Sequence, residues 1–470
     1  MAATTTRRNF FKVAASAVTF SSGLGLLLSK SALAAQRTTS KPPLRITEIE
    51  RHEVVLPFND YNATTLYRCQ GSGLMTRTIF VAKTNVGIEG YGEGLGAAWL
   101  PPAELEPYIG TSPFDWVGHD THLPLSMVFY DLMGKYLGLP AWKLIGPKVR
   151  SWVPVSAWTE PQTPGAMAEE VRQAVRRGYH WLKFHVNQCQ DVVDQTEAMQ
   201  KVAPPGFKVH YDFNADSNLE AISPVLKELE RFPIAARAED PVVPTDHDAY
   251  RLLRQESRLS ILLHHAPREV MTKNVCDGYM AGHASIGVAA RAAAIAEATN
   301  TPFMLQQAGG TINLAFLAHE VAVFKMAVLD HVHLANLWKD DVTQERFSVV
   351  GGSIAVPKGP GLGVTLDREK LEKYKKAPAP TPVRLLVRVE YKNGLTILFR
   401  HNPEESGALL NLRSLARVNL PGPVPGYRNR VVTKFWEADG TAEFNRAWEK
   451  TESGPYWIPS ERFPRKSGTP

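Results

Sequence analysis

The sequence predicts an α/β protein, a parallel (β/α) barrel with an α+β segment ahead of it and a small β-rich extension behind it. Three observations lead there. Strand-like and helix-like segments alternate from Val153 to about Leu334, and repeated βα units suit a closed parallel barrel better than an open sheet. Before them stand two alternating strands joined at Asn85-Val86-Gly87, then an apolar helix. After them the run from Lys376 to Pro382, with Pro378, Pro380 and Pro382, reads as a stiff linker into short strands and Pro/Gly turns.

The first strand alternates over residues 44–57 and the second over residues 77–84. Gly87 turns the chain into Ile88-Glu89-Gly90-Tyr91-Gly92-Glu93-Gly94. Residues 126–137 place Met127, Tyr130, Leu132 and Met133 at helical spacing, and Gly138 with Pro140 stops that helix. The barrel strands are expected at 181–186, 208–213, 235–238, 259–264, 278–280, 302–305 and 331–334. Helices such as 164–177, 219–230 and 286–298 fall between them. A barrel of this kind carries its chemistry at the C-terminal ends of its strands. In the extension, residues 385–391, 395–399 and 431–435 alternate as strands.

Composition narrows the class. The 470 residues are 44% apolar and 21% charged, enough for sizeable cores. Residues 1–34 hold Arg7, Arg8, Lys12 and Lys30 and no acid, so without them the formal charge of +6 falls to about +2, 49 basic residues against 47 acidic. That balance gives no reason to invoke nucleic acid or an anionic membrane. Thr6-Arg7-Arg8-Asn9-Phe10-Phe11-Lys12, the apolar run over 13–28 and Ala32-Leu33-Ala34 resemble a twin-arginine leader with its cleavage site. The mature protein is therefore expected in the periplasm or outside the cell. No other segment has the roughly 18 consecutive apolar residues a membrane helix needs. Cys69, Cys189 and Cys276, odd in number and scattered, form no disulfide framework and read as buried thiols.

Three ordered stretches carry a resemblance to a known family. They are Thr84-Asn-Val-Gly-Ile-Glu-Gly-Tyr-Gly-Glu93, then Tyr130-Asp-Leu-Met-Gly-Lys-Tyr-Leu-Gly-Leu-Pro140 with Lys143-Leu-Ile-Gly146, and Pro360-Gly-Leu-Gly-Val-Thr-Leu-Asp367. Together they resemble the mandelate racemase and muconate lactonizing branch of the enolase superfamily. The resemblance spans about residues 44–375. It implies an α+β capping domain over 44–140, a modified TIM barrel over 141–375, and a closing strand at 360–367. The linker and β-rich extension, 376–470, have no counterpart in it.

The resemblance implies removal of a proton α to a carboxylate, with a divalent metal ion stabilising the enediolate. Such a carbon acid is too weak to ionise near neutrality unless preplaced cations meet the developing charge. Three acidic ligands on successive strand ends are implied, a set suited to Mg²⁺ or Mn²⁺. The first falls on Asp212, in Tyr211-Asp-Phe-Asn214, and the second on Glu239, in Ala238-Glu-Asp-Pro241. The third position holds His264-His265 in place of an acid, with His265 the better match. Those histidines are either ligands, which favours Mn, Fe or Zn, or residues that line the pocket.

The acid/base positions also depart from the pattern. Where the family carries Lys-x-Lys, this chain has Lys183-Phe-His185. Lys183 is then the group that binds a substrate carboxylate. His185 is either the general base, a role that suits imidazole near neutral pH, or a packed side chain. Asp277 fits the racemase aspartate, while the paired histidine is replaced by Gln306, which cannot exchange protons but can hydrogen-bond a substrate oxygen. His333 or His331 falls near the enolate-stabilising acid. One base on one face suffices for elimination, so the expected activity is that of a lyase, a dehydratase of a sugar acid or related acid. A racemase or cycloisomerase, or a catalytically altered barrel that only binds, are the alternatives. Expected partners are a small carboxylate substrate and further copies of the chain, with no membrane once the leader is cleaved. Residues 58–72, with Tyr61, Tyr67 and Arg68, are implied as the loop that selects the substrate.

Overall fold

In the computed structural model the described residues are 42–70, 75–96, 100–120, 122–187, 189–378, 384–401 and 430–458, and the expected leader lies outside them. From Leu44 the chain forms an antiparallel three-stranded meander of β1 (Ile46–Val55), β2 (Thr76–Thr84) and β3 (Glu89–Leu95). The helix Leu123–Leu137 packs on β3, and the glycines of the hairpin explain how closely. A Cβ on Gly90 would stand 2.5 Å from Leu132 Cγ, and one on Gly92 would stand 2.2 Å from the Pro124 carbonyl oxygen. Only glycine lets this helix lie so near the strand. Gly138 caps the helix at φ +71°, the left-handed turn expected there.

Eight parallel strands form the barrel in chain order: β4 (Trp152–Thr159), β5 (Trp181–His185), β6 (Lys208–Asp212), β7 (Ala235–Glu239), β8 (Ser260–Leu263), β9 (Gly278–Gly282), β10 (Phe303–Gln307) and β11 (His331–His333). β11 pairs back onto β4 and closes the sheet, while β12 (Ser353–Ala355) joins β4 antiparallel. β4 was not legible as a separate strand because Pro154 interrupts its pattern; that proline sits opposite Ser353 in the short β12 pairing. The closing strand expected at 360–367 is not a strand. Gly361 and Gly363 adopt φ of +66° and +69°, which an extended ladder excludes. The segment instead docks on the helix Leu123–Leu137, where buried Asp131 accepts the N–H groups of Leu362 (2.8 Å) and Tyr91 (3.0 Å).

A buried ionic network joins meander to barrel. Arg77 of β2 is fully buried between Glu93 of β3 and Asp341, the latter at 3.0 Å. Glu93 accepts the N–H of Gly310 (2.7 Å) and Asn313 (3.2 Å), and Asp341 accepts that of Thr311 (2.7 Å). These carboxylates therefore cap the helix Thr311–Val321, whose N-terminal N–H groups otherwise lack partners. The terminal glutamate of the hairpin motif is thus a structural joint.

The same helix holds Glu320, buried beside Gln307 of β10, whose Nε2 donates to Glu320 Oε2 at 2.7 Å. The other oxygens, Glu320 Oε1 and Gln307 Oε1, are buried without a partner. Burial pushes the Glu320 carboxyl up to about 8, and the neutral acid supplies the donor those oxygens lack. An acid whose folded pKa is raised holds its proton and costs nothing below its unfolded value. It destabilises increasingly as pH climbs from about 4.5 to about 8, by a few kcal/mol in total. Glu320→Gln keeps the donor at every pH. Its thermal stability should exceed that of the parent clearly at pH 8 and little at pH 5; equal gains at both would show that Glu320 is ionised in the fold.

The extension is a four-stranded antiparallel sheet in the order β15 (Val431–Glu437), β13 (Leu385–Tyr391), β14 (Thr396–His401), β16 (Tyr456–Ile458). The helix Ala442–Lys450 covers one face through Phe444, against Leu386 and Leu398. On the other face Val387, Val389, Ile397 and Phe399 close over Cys189, in the loop after β5, and Thr433 Oγ1 donates to the Cys189 carbonyl. Cys189 and Cys276 are both buried free thiols, while the Cys69 side chain lies outside the described residues. The sheet also reaches the helix Ala63–Gln70, where Arg68 Nε donates to Glu437 at 3.1 Å. Tyr61 hydrogen-bonds Glu170 at 3.2 Å. Two of the side chains expected to meet substrate thus bind the protein itself.

Candidate active site

Register puts the expected residues at one level. In the ladders His185 of β5 faces Asp212 of β6, and Asp212 faces Glu239 of β7, all three at C-terminal strand ends. Lys183, two residues before His185, points the same way into the barrel. Its Nζ lies 3.0 Å from Asp212 Oδ2, 2.6 Å from Glu239 Oε2 and 2.5 Å from Gln306 Oε1, with Met280 Sδ at 3.8 Å. All four side chains around this ammonium are buried.

Burial alone would lower the Lys183 pKa, but Asp212 and Glu239 more than offset it, so the amine stays charged with its pKa raised. Burial works against both carboxylates too. Lys183 overcomes it and holds Glu239 well below, and Asp212 below, the usual carboxylate range. Two carboxylates and one ammonium leave the cluster with one net negative charge. His210, fully buried with Nε2 2.8 Å from Glu239 Oε2, is pushed down to about 4 by burial and stays neutral. Asp240 is pushed up to about 7 by burial and by the facing Glu239 and Asp212.

His185 is half-buried. Its Nε2 lies 3.1 Å from Asp212 Oδ2, its Nδ1 3.8 Å from Glu160 Oε1, and its ring stands edge-on to Trp158. This is the geometry of an imidazole oriented by a carboxylate.

The third metal position is arranged differently from the expectation. His264 Nδ1 lies 2.9 Å from Glu239 Oε1, while His265 turns outward, its side chain 58% exposed and its Nε2 3.9 Å from Asp240 Oδ2. His265 thus gathers with Asp240 and His264, and not with the Asp212–Glu239 pair. Among the described residues Asp240, His264 and His265 form the group whose donor atoms could hold a metal ion. Glu239 Oε2, beside the Lys183 ammonium and the neutral His210 ring, makes no hydrogen bond of good geometry, an ionised oxygen suited to a further cation. The donors around it therefore fit a divalent ion. They are mixed nitrogen and oxygen, unlike the three carboxylates implied by the sequence.

Two expected residues stand elsewhere. Asp277 precedes β9 and so lies at the N-terminal end of the barrel, where it accepts from Arg254 Nε (2.8 Å) and from the Ile261 N–H (2.8 Å). It is a structural ion pair, because the strand starts after it and not before it. His333 is at a C-terminal strand end but buried, with Nε2 3.1 Å from Asn313 Oδ1 and Nδ1 accepting from the Ala335 N–H at 3.0 Å. Burial holds it down to about 3, so it stays neutral. His331 is likewise buried, taking the Leu305 N–H at 2.9 Å.

The residue that follows β9 is His283, at φ +49°, its N–H donating to the Gln306 carbonyl at 2.7 Å. Although exposed at the barrel mouth, its ring is crowded enough that desolvation, with His264 and Lys183 nearby, pushes it down to about 4. It is therefore a neutral imidazole. Sequence reading missed His283 and Asp240. Both follow strand ends directly, and counting registers would have found them.

The family described as enolase C-terminal domain-like matches residues 166–370. A D-galactonate dehydratase of Xanthomonas axonopodis pv. citri (strain 306) is 30% identical over 285 residues, 54% of this chain and 73% of the relative. A D-gluconate dehydratase of Thermoproteus tenax is 23% identical over 373 residues, covering 69% and 74%. The solved muconate lactonizing enzyme of Pseudomonas fluorescens, complexed with muconolactone, superposes with a TM-score of 0.60 at 19% identity, over 71% of this chain and all of that one. That likeness is one of fold.

Proposed function

The chain belongs to the enolase superfamily, and on that premise we propose that it is a dehydratase of a sugar acid or a related hydroxy acid. The observation that carries this reading is His185 held against ionised Asp212 beside the Lys183 ammonium, a general base next to a fixed positive charge. His185 takes the proton α to the substrate carboxylate. Lys183 stays protonated and faces the oxygen where charge develops, with the Gln306 amide beside it. A divalent ion bound by the donors around Glu239 would supply further positive charge to an enediolate. The proton held by His185 then passes to the departing hydroxyl, which leaves as water. His283, at the end of β9 and four strands round the eight-stranded barrel from β5, hydrogen-bonds the substrate from the far side. The named activities of the two dehydratase relatives support elimination.

The test is a set of sugar acids, D-galactonate and D-gluconate included, assayed in D₂O for 2-keto-3-deoxy acid, with deuterium uptake followed at C3 of the product and at the α-carbon of the recovered acid. Product with uptake is the expected result. Uptake with inversion and no product would favour a racemase, a second reading that His283 opposite His185 also supports. No uptake from any acid would leave a binding protein. We propose further that the Arg7-Arg8 leader exports the chain; tagged full-length protein should fractionate with the periplasm and lose that location when both arginines become lysine.

A further inference from the structure

Strand β15 of the extension makes its contacts with the rest of the protein on one face. Val431, Thr433, Phe435 and Glu437 alternate along it, while Val432 and Lys434 are exposed and Trp436 turns to Phe444 of the covering helix. The first part of that face meets the loop that leaves β5 directly after His185. Thr433 Oγ1 donates to the Cys189 carbonyl, the Arg430 N–H donates to Asp191, and Val431 and Phe435 join the apolar side chains over Cys189. Within the loop, Asn187 Oδ1 accepts the Cys189 N–H at 2.9 Å, and Asp191 caps the helix Val192–Gln200. The far end of the same face meets the last turn of the helix Ala63–Gln70. There Glu437 accepts from Arg68 Nε at 3.1 Å, and the guanidinium stands 5.3 Å from the Phe435 ring centroid.

The start of the helix Ala63–Gln70 is fixed at the C-terminal end of the barrel. Asn59 Nδ2 donates to the carbonyls of Asn336 (2.8 Å) and Leu337 (2.7 Å), in the loop after β11. Asn62 Nδ2 donates to Glu170 Oε1 at 3.1 Å, an oxygen that also accepts from Gln162 (2.7 Å) in the loop after β4. That loop carries Glu160, whose Oε1 lies 3.8 Å from His185 Nδ1. The helix therefore runs from the loops after β11 and β4 out to β15, and β15 leads back to the loop after β5. Those three strands are neighbours in the barrel, so the circuit closes around His185.

We propose that β15 is a positioning strand for the substrate site. Thr433 holds the loop behind His185, and Glu437 holds the last turn of the helix Ala63–Gln70, so this wall of the site is assembled before substrate arrives. Without the tie, ordering that helix would be charged to substrate binding, and the cost would appear in KM more than in kcat. The bearing on substrate rests on the dehydratase reading; the tie itself does not.

The experiment is amide hydrogen exchange on the chain without its leader and with the extension intact, joined to kinetics on whichever sugar acid it dehydrates. Glu437→Arg sets two cations against each other, and exchange over residues 63–70 should rise about fivefold at an unchanged melting temperature. Adding Arg68→Glu restores an ion pair and should bring exchange back to within about twofold of the parent. Thr433→Val should raise exchange over residues 189–191, and Thr433→Ser, which keeps the hydroxyl, should not. In Glu437→Arg, KM should rise about fivefold with kcat within about twofold, and the double variant should recover it. Unchanged exchange over 63–70 in Glu437→Arg, or a rise that Arg68→Glu does not reverse, would overturn the tie. A reversible rise in exchange with KM unmoved would overturn its role in the substrate site. If the parent dehydrates no acid, the dehydratase reading fails, and exchange alone still decides the tie.

Discussion

Arg77→Met is expected to destabilise the protein by roughly 3–5 kcal/mol, because it strips two buried carboxylates of their cation. Arg77 is fully buried, its guanidinium between Glu93 and Asp341 and 4.6 Å from the Trp338 ring centroid. Methionine preserves much of the volume and the contact with Trp338, so the loss reads the charge and not a cavity. The N–H groups of Gly310, Thr311 and Asn313 remain on the carboxylates and limit the damage. Without Arg77 both folded carboxyl pKa values rise. An acid with a raised folded pKa destabilises the fold above its unfolded pKa, so the deficit should widen from pH 5 to pH 8. Adding Glu93→Gln to Arg77→Met should recover part of it. Thermal melts at the two pH values check this; a deficit under about 1 kcal/mol, or one that shrinks with pH, would show that the helix N-terminus alone satisfies the carboxylates.

Why a sequence shows some of this and hides the rest follows from the same residues. The βα alternation located β5, β6, β10 and β11 to within a residue or two, since buried parallel strands are short apolar runs between breakers. Asp212 and Glu239 were legible because each ends such a run. Asp277 misled because likeness to the racemase aspartate outweighed position: the strand expected at 278–280 starts after it, and so does β9. His265 was assigned the ligand position by likeness. Its outward turn is set by Asp240, whose left-handed backbone no local pattern announces. Lys183 between the two carboxylates is a product of barrel closure, which brings β5 and β10 within 2.5 Å at their side chains though 123 positions separate them. Likewise nothing in the alternation of 385–391 tells that its apolar face seals the loop holding Cys189.

His185→Asn is expected to lower the rate of α-proton exchange by about 10²–10⁴-fold while leaving the fold intact. Asparagine matches the Nδ1 position and lacks the Nε2 edge, so it gives up the 3.1 Å contact with Asp212 Oδ2 while keeping much of the volume beside Trp158. It cannot take up a proton. A packing histidine and a general base therefore give opposite results: the first loses melting temperature and keeps exchange, the second keeps melting temperature and loses exchange. Lys183 is the rival base, yet its ammonium is stabilised by both carboxylates and has its pKa raised, so it is the poorer proton acceptor. His283 is the other rival, and it stands at the end of β9, across the barrel from β5. Exchange in D₂O separates them. If His185→Asn retains exchange within about threefold and His283→Asn abolishes it, the proton leaves toward β9, and the roles assigned to the two histidines are reversed.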